Sequence, residues 1–304
     1  MTETFMETKN AIALITRFPK VIAQSGREIS LVPHGPWKIS ISCSHEDELF
    51  GEAKTEDYEI DISFQEEKIF DILKQVEKDA RQFLTAFQVI HEWLETDISN
   101  FSSQLNQIFL SSQNTQNQIR DGVNVETSTI INLTNSIEKT LNHFQGTFEK
   151  LDQGMSALET YSEQQMTYEE IIEVFKDSLK QIFQDTLNHV KSILVSKPCG
   201  QADALNQLSH FQSQFSSTVD ILSEEFSELT EATEKAKVAL SILKDTVLDF
   251  TWDYKESVAQ ISTANNIEAL CIETVNQEWQ SLAEYTGKRL TKFWQVDKIL
   301  CPQN

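Results

Sequence analysis

The chain has 304 residues, 47 of them acidic and 25 basic, for a formal net charge of −22. That balance argues against nucleic acid as a partner, because binding phosphates needs a basic face that releases counterions. It also disfavours plain electrostatic attachment to anionic lipid. Hydrophobic residues make up 39% and include 18 phenylalanines and five tryptophans, enough for a real core and against global disorder.

Residues 1–65 differ from the rest. They hold Pro19, Pro33 and Pro36 together with Gly26, Gly35 and Gly51. Ala11 to Ala23 has a helical pattern that should be interrupted or end near Pro19. Glu28–Val32, Trp37–Cys43 and Tyr58–Phe64 have strand character, the latter two alternating apolar and polar residues. A turn is expected at Pro33–Pro36, and an exposed acidic loop at Ser44–Thr55. This predicts a small α/β module over residues 1–65, with a sheet of two or three strands packed on a helical body. The opening residues carry Glu3 and Glu7 and do not read as a secretory signal, so the expected location is cytoplasmic, or exported without a cleavable signal peptide.

From Glu66 the period becomes helical. Apolar residues from Ile69 to Ile108 recur at steps of three and four, with one slip at Leu94. A polar tract, Ser111 to Gln118, and Asp121-Gly122 follow. They read as a turn, or alternatively as a polar stretch of continuous helix. The stripe restarts at Ile130 and runs to Leu194, where Lys197 to Gly200, containing Pro198, closes it. From Gln201 to Thr286 there is neither glycine nor proline. A stripe from Leu205 to Ile261 crosses that stretch, weak only at Thr233 and Ala236, and Val275, Trp279, Leu282, Leu290 and Trp294 continue it. The average step of 3.5 residues is that of helices keeping one seam against partners.

The expected fold is therefore mostly α: an elongated antiparallel bundle of long, coiled-coil-like helices over 66–304, with a small β-containing N-terminal module. Its helices are placed at about 66–120, 126–196 and 202–300, from the spacing of the stripes and their breaks. A kink or break in the last is anticipated at Gly287. The competing architecture is one long helical hairpin hinged at Pro198–Gly200. The many phenylalanines on the stripes favour three helices, since such bulk suits a bundle interior.

Signatures of chemistry are absent from the sequence. It has no phosphate-binding glycine loop, no nucleophile elbow and no paired-histidine zinc helix. His91, His143, His189 and His210 stand singly on helices, at surface or flank positions. Cys43, Cys199, Cys271 and Cys301 form no close pair, and Cys271 is expected to be a small buried hydrophobe. No stretch is apolar enough to predict a transmembrane helix. No catalytic residue, metal ligand or cofactor is expected, and the protein is read as not an enzyme.

Two features point outward. Lys288, Arg289, Lys292 and Lys298 gather around Phe293-Trp294, a basic aromatic end that could touch a membrane surface or an acidic partner. The last helix, as read, also outruns its neighbours. Its stripe must then be covered by the N-terminal module, by folding back, or by another chain. The candidate interaction surface is Trp279, Leu282, Leu290, Phe293 and Trp294. The role predicted is that of an assembly or scaffold protein acting through helix-mediated protein–protein contact or self-association. The alternative is a hydrophilic component of a bacterial α-helical pore-forming toxin or secretion-tip system, by analogy of architecture alone.

Overall fold

The computed structural model describes residues 2–30, 37–46, 53–62, 67–123, 125–196, 201–261 and 270–300. They form helix α1 (Thr2–Ser30), strands β1 (Trp37–Glu46) and β2 (Ala53–Ile62), then α2 (Glu67–Glu92), a π-helical turn (Trp93–Asp97) and α3 (Ile98–Arg120). Helices α4 (Thr127–Gly146), α5 (Glu149–Ser196), α6 (Gln201–Ala259) and α7 (Ile272–Leu300) complete the order. The protein is a bundle of long helices, as the stripes require.

The first 65 residues depart from expectation. Helix α1 runs through Pro19, whose ring has no N–H to give the Ile15 carbonyl. The apolar periodicity carries the helix past that missing bond, with Ile12, Ile15, Phe18 and Ile22 buried along one face. Glu28 to Ser30, expected as strand, is the last turn of α1, and Leu31 to Pro36 lie outside the described residues. A separate β-containing module is therefore not supported. The strands pair only as a two-stranded antiparallel hairpin, in register from Trp37 opposite Ile62 to Glu46 opposite Ala53. The centre of the expected acidic loop, residues 47–52, lies outside the described residues.

The slip at Leu94 has a structural cause. In the π-helical turn the Ile98 N–H reaches the Trp93 carbonyl, five residues back. One extra residue is thereby accommodated without breaking the helix. Trp93, Leu94 and Ile98 consequently all point inward and are buried.

At the far end of α3 the chain turns. The Val123 N–H bonds to the Gln118 carbonyl at 2.9 Å and the Gly122 N–H to the Ile119 carbonyl at 3.1 Å. Gly122 has φ +75°, the left-handed residue of a Schellman cap. The reversal brings Phe144 of α4 flat against Phe101 of α3, with ring centroids 4.0 Å apart. Continuous helix through this tract is thus excluded. A second, smaller interruption at Thr147-Phe148 separates α4 from α5.

The last helix, expected over 202–300, is two helices: α6 ends at Ala259 and α7 begins at Ile272. Helix α7 packs on α3. The break is not at Gly287, which lies inside α7 with open space around it. At the start of α7, Cys271 has φ +44°, a left-handed conformation no continuous helix contains. Cys271, expected to be a small buried hydrophobe because it lies beside Leu270 and Ile272, is instead exposed.

The chain divides into two compact units. One comprises residues 1–23, 81–162 and 231–304, the other residues 24–80 and 163–230, so α1, α2, α5 and α6 contribute to both. In the first unit α2 and α5 approach closely at Gly154. A Cβ there would lie 2.2 Å from Cδ1 of Ile90. The Trp93 indole N–H donates to the Thr147 hydroxyl at 2.9 Å, and Lys150 pairs with Asp97 at 2.7 Å. In the second unit the buried Asp79 carboxylate accepts hydrogen bonds from the Tyr168 hydroxyl and, at 2.6 Å, from the Gln75 amide. Thr230 donates to Glu169 at 3.0 Å.

Two glycines should respond oppositely to alanine. Gly122→Ala forces a side chain into the left-handed region and should destabilise by about 1 kcal/mol. Gly287→Ala, in an open helical position, should stabilise by roughly 0.5–1 kcal/mol. Thermal or urea melts of the two variants read both signs.

Candidate interaction surface

Three of the five residues expected to form a surface are core. Trp279 is 1% exposed, and Leu282 and Leu290 are also buried. The Trp279 indole meets Phe5 of α1 at 5.6 Å, Phe101 of α3 at 4.7 Å, Phe144 of α4 at 5.3 Å and Phe250 of α6 at 5.2 Å. Asn276 and Gln280, on the same helix, donate their amides to Asn106 of α3 at 3.2 and 3.0 Å. The stripe is covered by the chain's own helices because α7 returns along α3 instead of extending α6. The side chains of Phe293 and Trp294 lie outside the described residues. Lys288 and Arg289 are exposed; Lys288 sits 3.7 Å from Glu284, and the Arg289 guanidinium lies over the Tyr285 ring at 5.3 Å.

The single histidines fall largely where the sequence put them. His143, His189 and His210 are exposed, whereas His91 is half-buried beside Glu95. Burial lowers the His91 pKa, with Glu95 and Glu92 opposing that effect.

The surface the sequence reading missed is on α6. Val238, Ile242, Leu248 and Trp252 lie off the buried stripe and are exposed, Trp252 by 65%. The opposite face of the same helix, with Leu243, Val247, Thr251, Tyr254 and Val258, is in the core. Around Trp252 stand the exposed carboxylates of Asp245, Asp249, Asp253 and Glu256. The neighbouring cations are directed elsewhere. Lys244 pairs with Asp152 of α5, and Lys255 donates to the Gln145 side chain of α4. Asp245 accepts from Ser241 at 3.3 Å. Asp249, Asp253 and Glu256 have no ion pair among the described residues. The signal was in the sequence: Trp252 is a large aromatic residue two positions away from the stripe residues Phe250 and Tyr254.

A second feature is a polar groove of about 710 Å³ between α3 and α4. Ile108 and Leu133 contribute its apolar part, and Gln104, Gln107, Asn132, Ser136, Lys139 and His143 are among its polar residues. Among the described residues its lining contains no carboxylate.

No family model matches this chain, and no curated protein does. Among solved structures it is similar to the soluble AhlC triple head mutant of the tripartite alpha-pore forming toxin AHL from Aeromonas hydrophila. The identity is 11%, the TM-score 0.34, and the match covers 90% of this chain and 98% of that one. Agreement at that level assigns no role to this chain. No described helix is long and apolar enough to cross a membrane.

The two tryptophans should separate cleanly. Trp279→Ala removes the centre of a packed cluster and should cost about 3–5 kcal/mol. Trp252→Ala touches no such feature and should stay within roughly 0.5 kcal/mol of the parent. Chemical denaturation of both variants provides the comparison.

Proposed function

We propose that this protein is a non-enzymatic helical-bundle assembly protein acting through helix-mediated protein–protein contact. The observation that carries the reading is the exposed face of α6, where Trp252 stands clear of the core together with Val238, Ile242 and Leu248. A tryptophan held on the outside of a packed helix offers a large rigid contact at small entropic cost. Such residues dominate binding energy where two proteins meet. The core beneath it is complete without a partner, since Trp279 is already enclosed. The face is thus available for recognition and is not needed for folding.

The test is a photo-reactive phenylalanine analogue at position 252, with the exposed Glu159 position as control, in cells that make the protein. Position 252 should give one discrete adduct of fixed mass, and position 159 should not. No adduct at 252, or the same ladder from both positions, would remove the basis for assembly through this face.

A second reading is a hydrophilic component of a multi-part helical pore-forming or secretion-tip system. It draws on the β1–β2 hairpin carried between α1 and α2 of an otherwise helical chain. The two readings part on dye release from liposomes. As an assembly protein the chain should release nothing, alone or with proteins encoded beside it. Release that depends on this chain together with such a neighbour would favour the second reading.

A further inference from the structure

We propose that the face of α6 centred on Trp252 receives a cationic amphipathic helix of another protein; this rests on the assembly reading and names the partner's chemistry. At about 100° per residue, Asp245, Leu248, Asp249, Trp252, Asp253 and Glu256 share a sector roughly 140° wide. All six are exposed. The sector is an apolar ridge, Leu248 and Trp252, set among four carboxylates.

The charge pattern selects the occupant. Four formal negative charges on three turns of one helix repel one another, and neither of the two nearest lysines forms an ion pair with them. Lys244 is held by Asp152 and Lys255 by Gln145, both on the helices behind. An incoming row of lysine or arginine side chains pairs with the carboxylates, and a cation over the Trp252 indole gains the attraction of its π face. The apolar residues of such a helix cover Leu248 and Trp252, with Ile242 and Val238 extending the ridge toward the start of α6. From Val238 to Glu256 the ridge is about 27 Å long, which matches a partner helix of roughly 18 residues.

Other occupants fit less well. A second copy brings another net charge of −22, which opposes self-association on an acidic face. An anionic membrane is repelled for the same reason. A neutral helix leaves the four carboxylates without the compensation that the surface lacks. The outward-turned acids and the Trp at their centre are complementary to one pattern, positive and apolar at helical spacing.

The experiment uses the full chain and a fluorescein-labelled synthetic peptide of leucine and lysine, about 18 residues long and patterned as one amphipathic helix. Anisotropy titration should show saturable one-to-one binding that weakens as salt rises. The double change Leu248→Ala, Trp252→Ala should weaken it at least about tenfold. The set Asp245→Asn, Asp249→Asn, Asp253→Asn, Glu256→Gln should do likewise and flatten the salt dependence. Neutralising four exposed carboxylates elsewhere, Glu138, Glu149, Glu159 and Glu163 to glutamine, should leave the affinity within about twofold. Far-UV spectra confirm that each variant is folded.

Equal losses from the two carboxylate sets would mean general attraction to an acidic chain and would overturn the proposal. So would a peptide that fails to bind, a leucine–glutamate peptide that binds as well, or an affinity indifferent to Trp252. A position-252 adduct with the mass of two copies of this chain would replace the cationic helix by self-association. If the discrete adduct persists while the lysine peptide does not bind, the partner's chemistry is wrong and the assembly reading stands. If the adduct is absent, the assembly reading itself fails.

Discussion

The larger part of this fold depends on the enclosure of one indole. Trp279 enters α7 at a point where α1, α3, α4 and α6 each present a phenylalanine ring, all within 4.7–5.6 Å of it centroid to centroid. Most of these contacts are edge-to-face, the arrangement that aligns ring edge with ring face. Each such pair adds about 0.5–1.5 kcal/mol beyond the area it buries. Five helices, from α1 to α7, are tied at one cluster, which fixes where α7 can lie. With α7 in place on α3, Trp279, Leu282 and Leu290 are buried, while Trp252 of α6 stays outside the core.

Much of this was legible in the chain, and the failures share one cause. Spacing of three and four residues marked the helical stripes, and the slip at Leu94 in the first of them coincides with the π-helical turn. Asp121-Gly122 marked the turn between α3 and α4, because a left-handed cap needs a residue without a side-chain penalty. Breaks without such punctuation were invisible. Nothing between Gln201 and Thr286 is a glycine or proline, so periodicity alone ran the last helix through the point where α6 ends. Asn265 and Asn266 were the local hint, as poor formers of helix interiors. Conversely Pro19 signalled a break that packing overrode, since its missing hydrogen bond costs less than abandoning the buried face of α1.

That one unseen break misplaced the candidate surface. A continuous final helix leaves Trp279, Leu282 and Leu290 bare. A helix that folds back buries them and exposes nothing at the same positions. Attention to the stripe also hid what lay off it, because a search for apolar periodicity discards Trp252 as background. For a chain of buried seams, the informative residue is the large aromatic one out of phase with the seam. Its position costs solvation and is not repaid by the fold.

The two irregularities in the first unit have a consequence for helix sliding. The π-helical turn at Trp93–Asp97 and the interruption at Thr147-Phe148 lie side by side, joined by the Trp93–Thr147 hydrogen bond and the Lys150–Asp97 ion pair. A smooth pair of helices could shift by one turn, about 5.4 Å, and find an equivalent packing. Two matched defects cannot. Each serves as a notch for the other, so α2–α3 and α4–α5 have one register. A residue gained or lost in α3 or α4 between the notch and the turn is then taken up at Gly122. The α3–α4 turn of the first unit can therefore vary in length while the Trp93–Thr147 pairing keeps its place.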